Sequence, residues 1–167
     1  MVETIDLGAG EELVLREGRR GGEARSWRDE IELRRGGAAV WTVRVALFTR
    51  AFDHLAEADA ESVVVAGQPP GSAYFALQVL GRADGKLRWS TTPRKQPALW
   101  RLDRGELFEL TATHVHRYDA RSGTTLWSHA LEPGAAMRGI LPAEADVTLV
   151  GADGRDVRLD RASGAPR

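Results

Sequence analysis

The sequence predicts an all-β chain, a β-propeller of about four four-stranded antiparallel blades. Three observations carry that expectation. Tryptophans stand at Trp41, Trp89 and Trp127, each four residues after a glycine: Gly37, Gly85 and Gly123. Their intervals, 48 and 38 residues, are the repeat length of propeller blades. Between them lie short β-rich runs punctuated by turn residues, with no extended helix-period apolar segment.

The repeats fall at about 2–45, 46–92, 97–131 and 137–167. The first gives "ETIDLG", "ELVLRE", "WRDEIELR" and "AAVWTVRV", with "GRRGGEARS" as a long hairpin tip. In its third run Ile31 and Leu33 alternate with Glu30, Glu32 and Arg34, as in a strand with one solvated face. The second supplies "SVVVAG", "AYFALQVL" and "KLRWST", with "QPPGS" as a loop. Its innermost strand is expected near Ala51 to Ala56, where "AFDHLAEADAE" fits a short helix equally well.

The third repeat is the cleanest, reading "ALWRLD", "ELFELTA", "HVHRYDA" and "TTLWSHA". In the fourth, "MRGILPA", "DVTLVGA" and "RDVRLDR" give three strands, and Ala165–Arg167 is a stub of the outermost. Asp160 and Gly164 repeat the offsets of Asp119 and Gly123, so the matching tryptophan would stand at position 168. Each repeat glycine is expected in a tight turn that needs positive φ. Asp119 and Asp160 are expected to accept backbone N–H bonds there and hold the hairpin.

Residues 117–127, "RYDARSGTTLW", resemble the tryptophan-docking motif of PQQ-like β-propeller repeats. Asp119, Ser122, Gly123 and Trp127 match it, while Arg117 replaces the usual alanine. The second copy keeps Gly85, Lys86 and Trp89 but has Gly81 in place of aspartate, and the first keeps only Gly37 and Trp41. The resemblance implies a structural role for each tryptophan, packed between neighbouring blades with its N–H on backbone near the turn. Burying one large ring per blade interface is consistent with that role. It does not extend to quinone dehydrogenase activity. Such enzymes resemble longer, eight-bladed chains with a vicinal cysteine pair and a calcium site, and this chain has no cysteine and no asparagine.

Composition narrows the function classes. A formal net charge of −1 argues against a general polyanion binder, so no nucleic-acid partner is expected. The acidic start "MVETIDLGAGEELVLREG" lacks the basic and then apolar segments of a signal peptide. No run reaches the roughly 18 apolar residues of a membrane span. A cytoplasmic protein without membrane contact is the expectation, and 21 arginines against two lysines read as a bacterial, GC-rich origin.

Three sets of side chains invite more specific chemistry. His114 and His116 share one strand face, and with His129 on the next strand they would hold zinc if the pairing register turned all three together. Arg19, Arg20, Arg25, Arg34 and Arg35 form an arginine-glycine cluster, but interleaved glutamates and the lack of aromatic partners read as a solvated hairpin. Trp27 and Trp100 break the repeat register, and either would serve as an interaction hot spot or a sugar platform if exposed. No catalytic residue, metal or cofactor is assigned.

The expected function is a non-enzymatic binding or scaffold module with a protein partner. A small-molecule- or metal-dependent enzyme with its site at a propeller channel, and a carbohydrate-binding propeller, are the alternatives. Ring closure has two solutions. Either "VETIDL" completes the last blade of a four-bladed ring, or four repeats form half of an eight-bladed ring whose apolar flanks pack against a second copy. The homodimer is the expectation.

Overall fold

The computed structural model describes residues 2–17, 27–48, 56–67, 74–95 and 98–167. Among these residues it contains fifteen β-strands and no helix. The first sheet holds β1 (Val2–Gly8), β2 (Glu11–Glu17), β3 (Trp27–Arg35) and β4 (Ala38–Phe48), and the second β5 (Ala56–Ala58), β6 (Ser62–Gly67), β7 (Ala76–Gly81) and β8 (Leu87–Ser90). The third holds β9 (Leu99–Asp103), β10 (Glu106–Leu110), β11 (His114–Asp119) and β12 (Thr125–Ala130), and the fourth β13 (Met137–Pro142), β14 (Asp146–Gly151) and β15 (Val157–Asp160). Every sheet is an antiparallel meander in sequence order. The chain divides into two compact units, Met1–Pro97 and Ala98–Arg167, each of two sheets.

The inner strand of the second sheet lies later than the sequence indicated. Ala51–Leu55 fall outside the described residues, whereas Ala56–Ala58 pair with Val63–Val65, which rules out a helix there. The N-terminal strand does not leave its own sheet to complete the last one: Val2–Asp6 pair with Glu12–Arg16 of β2. In the fourth sheet Ala165–Arg167 act as the start of an outer strand. Pro166 bridges to Leu159, and the Arg167 N–H donates to the Arg158 carbonyl at 2.9 Å.

Two hairpin designs recur along the chain. Three turns have two central residues at positive φ: Ala9 (52°) and Gly10 (74°), Gly36 (56°) and Gly37 (81°), Arg104 (51°) and Gly105 (78°). That is the type I′ pattern, whose twist matches that of paired strands. The outer hairpins of the other three sheets use longer loops with one shared bonding pattern. Gly85, Gly123 and Gly164 donate their N–H to the carbonyls of Gly81, Asp119 and Asp160 at 2.8–2.9 Å.

Gly37 is thus not the counterpart of the other repeat glycines, because the first sheet closes with the shorter turn. The tryptophans remain equivalent. Trp41, Trp89 and Trp127 pair with Leu33, Val79 and Arg117, each immediately before a register shift.

In unit 1, one face of the first sheet brings Leu13, Leu15, Ile31, Leu33 and Trp41 against Ala56, Val63, Val65 and Leu80 of the second. Strand alternation selects these residues, since i and i+2 share a face. In unit 2, Phe108, Leu110, Val115 and Trp127 meet Ile140, Val147, Leu149 and Leu159 in the same way. Each fully buried large aliphatic residue contributes about 1.5–3 kcal/mol relative to exposure.

The opposite face of the first sheet is charged, not apolar. Register places Asp6, Glu12, Arg16, Glu30, Glu32 and Arg34 on it around Val14. Arg16 pairs with Glu30 at 3.6 Å and with Glu32 at 3.4 Å, and Arg34 pairs with Glu12 at 3.7 Å and with Glu32. Among the described residues this face offers no continuous apolar flank. The last sheet is mixed on its corresponding face, with Leu141 55% exposed beside Thr148 and Arg158.

Candidate functional site

Among the described residues, the most elaborate polar construction lies at the joint between the two sheets of each unit. The longer hairpin loop of the second and of the fourth sheet supplies one half of it, and the third sheet's hairpin is built in the same way. Asp119 Oδ1 accepts from the N–H and hydroxyl of Ser122, both at 2.7 Å. Asp160 Oδ1 accepts from the Ala162 N–H at 3.0 Å, the Ser163 N–H at 2.9 Å and the Ser163 hydroxyl at 3.0 Å. These bonds to Ser122 hold the Asp119 carboxyl below its ordinary range. For Asp160 the Ser163 N–H, then the Arg167 guanidinium, lower it to about 2. Both carboxylates are consumed in fixing turns.

In unit 1, the Trp41 Nε1–H of the first sheet donates to the Arg82 carbonyl in the hairpin of the second at 2.7 Å. The Arg82 guanidinium reaches back to Glu11 at the start of β2 and to the Asp59 carbonyl. Arg35 donates to the other Glu11 oxygen at 2.7 Å. Hydrogen bonds from Arg82, then Arg35, hold the Glu11 carboxyl below its ordinary range.

Unit 2 repeats the tryptophan, arginine and glutamate of the arrangement with different surrounding partners. The Trp127 Nε1–H donates to the Arg161 carbonyl at 2.8 Å. The Arg161 guanidinium donates to Glu106 Oε2 at 2.7 Å, Asp103 Oδ2 at 2.6 Å and the Ala143 carbonyl at 2.6 Å. It also lies 5.3 Å over the Phe108 ring. Arg117 binds the second Glu106 oxygen and the Arg161 carbonyl. Burial disfavours the Arg161 charge, but Asp103 and Glu106 outweigh it and raise its pKa.

Chemically, such a cluster can hold two sheets together. Its carboxylates are bound to guanidinium groups, and the Nε of Arg117 is its one buried side-chain nitrogen without a hydrogen-bond partner, so the described carboxylates of the cluster are engaged rather than poised for proton transfer.

The remaining candidates disperse. His114 and His116 stack at 5.6 Å between ring centroids, but Val115 is the residue opposite His129. Residues directly opposite share a face, so His129 points away from the other two. Among the described residues no group of three His, Cys, Asp or Glu side chains is placed to hold a metal ion.

Trp100 is 2% exposed, so it is a core residue and not a sugar platform. Trp27 opens β3, and its side chain lies outside the described residues, as do Arg19, Arg20 and Arg25. Arg34 and Arg35 are committed to Glu32, Glu12 and Glu11. Trp89 is half-buried.

Sequence reasoning missed Arg82, Arg161, Glu11 and Glu106. Their signature was present: "GRADG" and "DRASG" share an arginine three residues before the repeat glycine, and both glutamates directly follow an inner-turn glycine. In an arginine-rich chain such arginines pass for solvated surface.

Residues 111–167, about a third of the chain, match the family model described as outer membrane protein assembly factor BamB. No curated protein matches the sequence. The structure of BamB from Moraxella catarrhalis superimposes on 99% of this chain at a TM-score of 0.62 and 20% identity, covering 48% of its own length. The computationally designed Ika4 protein matches 92% at 0.61 and 10% identity, over 86% of its length. The WD40 β-propeller domain of Doa1 matches 94% at 0.54 and 12% identity, over 49% of that chain. The chain thus spans about half the length of the BamB structure. The fold is that of a β-propeller, and the resemblance to PQQ-like repeats read from "RYDARSGTTLW" lies within the matched segment.

Proposed function

We propose that this chain is a non-enzymatic β-propeller module that binds a protein partner through loops carried on rigid sheets. One observation carries the reading: the buried ion clusters are spent on joints between sheets, which makes the polar interior a framework rather than a reaction site. A framework of this kind leaves exposed loops free to vary and to bind. The name of the matching family, an assembly factor, supports a protein partner by analogy. Because the outer face of the first sheet is charged, we place that partner among other proteins and not in a second copy packed on that flank.

The test is site-specific photo-crosslinking in cells, with the probe at exposed loop positions Ala83, Glu132 and Ala152 of the full chain. A discrete protein adduct, competed by excess unlabelled chain, is the expected result. Absence of any adduct, together with a stoichiometric organic cofactor or metal in native mass spectrometry, would overturn the reading in favour of an enzyme.

A further inference from the structure

The joint lock does not follow the single-sheet repeat. Its position is defined by backbone bonds common to all four sheets: the N–H groups of Gly36, Arg82, Ala120 and Arg161 donate to the carbonyls of Gly10, Glu61, Gly105 and Ala145. These carbonyls precede Glu11, Ser62, Glu106 and Asp146, the first residues of β2, β6, β10 and β14. The carboxylate half of the lock is Glu11 in the first sheet and Glu106 in the third; Ser62 fills that place in the second, and Asp146 in the fourth, where it pairs with Arg158 of its own sheet at 3.6 Å. The guanidinium half is Arg82 in the second sheet and Arg161 in the fourth, while Gly36 fills that place in the first and Ala120 in the third.

Ser62 and Ala120 are both small, both buried, and neither carries charge. The Ser62 hydroxyl instead accepts from Arg88 of its own sheet at 3.1 Å. Both complete locks therefore fall within a compact unit, Glu11 with Arg82 in unit 1 and Glu106 with Arg161 in unit 2. A buried arginine stripped of its carboxylate is costly, so removing one half of a lock loosens everything the lock closes.

We propose that the chain is built as two blade pairs, each a separate cooperative unit closed by its own glutamate–arginine lock, so that one pair opens without the other. Sub-global opening of this kind is read by native-state hydrogen exchange. The experiment uses the full-length protein with Glu106→Gln and, separately, Glu11→Gln. Each substitution keeps side-chain shape and removes the charge.

With Glu106→Gln, exchange of protected amides in β9–β15 is expected to rise about tenfold or more while β1–β8 keep their wild-type rates. Glu11→Gln should give the reverse. Equal acceleration in both units, or none in either, would overturn the proposal. Should a variant fail to fold, the wild-type protein decides the question. Urea titration followed by pulsed exchange is expected to show separate transitions for residues 1–97 and 98–167, and one coincident transition would count as the contrary result.

Discussion

Gly164 and Trp127 share a contact surface across two sheets. A Cβ built on Gly164 would lie 2.7 Å from Trp127 Cδ2 and 2.8 Å from Cε3. Gly85 meets Trp41 in the same way, at 2.8 Å from Cδ2. The indole of one sheet is therefore received by the hairpin glycine of the next, not by the glycine four residues before it in its own hairpin.

Gly164→Ala should for that reason lose stability in two ways. Its φ of +72° costs an L-residue about 1–2 kcal/mol, and overpacking against the ring costs about 1–3 kcal/mol more. Gly134 provides the control, since its φ is +80° and nothing lies within 4 Å of its added Cβ. Urea denaturation should show Gly164→Ala clearly more destabilised than Gly134→Ala. Equal losses would mean that the indole contact contributes nothing.

Trp127→Ala empties a buried aromatic site and should cost about 3–5 kcal/mol. The indole N–H bond to Arg161 adds specificity, so Trp127→Phe should recover part of the loss but not all of it. Thermal melts of the two variants decide this, and an unchanged melting temperature for Trp127→Ala would remove the docking role.

Acid should weaken the last hairpin through Asp160. Its carboxyl is depressed to about 2 by the Ser163 N–H and then by Arg167, against about 3.9 when unfolded. A lowered folded pKa means that the contribution is complete above about pH 4 and disappears as pH falls toward about 2. Asp160→Asn should consequently be less stable than wild type at about pH 6, with the gap closing by about pH 2. A gap that stayed constant across that window would show that the charge is irrelevant to the turn.

Zinc should not stabilise the protein. Because His129 faces away from His114 and His116, micromolar zinc is expected to leave the melting temperature unchanged. A rise abolished by His129→Ala would contradict the register.

Much of the fold was legible because propeller sheets are local. Hairpins join neighbours in sequence, so alternation such as Ile31 and Leu33 against Glu30 and Glu32 gave strands and turns directly. The position of β5 was not legible, since "AFDHLAEADAE" carries as much helix-forming alanine and glutamate as strand pattern. Gly37 misled for a related reason: a two-residue turn and a four-residue loop can each leave a glycine four residues before a tryptophan.

The joint was harder to read because its halves lie far apart in sequence. Trp41 and Arg82, or Glu106 and Arg161, meet only after two sheets have packed, and no local pattern marks a residue as one half of a distant pair. The tryptophans stood out because they are rare. The arginines did not, since 21 of them share the chain.

Ala9 and Arg104 occupy corresponding places in the first turns of the two units, at φ of 52° and 51°, directly ahead of the turn glycines that precede Glu11 and Glu106. At both points the backbone asks for the opposite chirality to the one it is given. A mirror-image residue there would rest in its own preferred region, as D-residues do in designed hairpins. Chemical synthesis with D-alanine at position 9 or D-arginine at position 104 would thus remove a strain that ribosomal synthesis can relieve only with glycine or the more tolerant asparagine and aspartate.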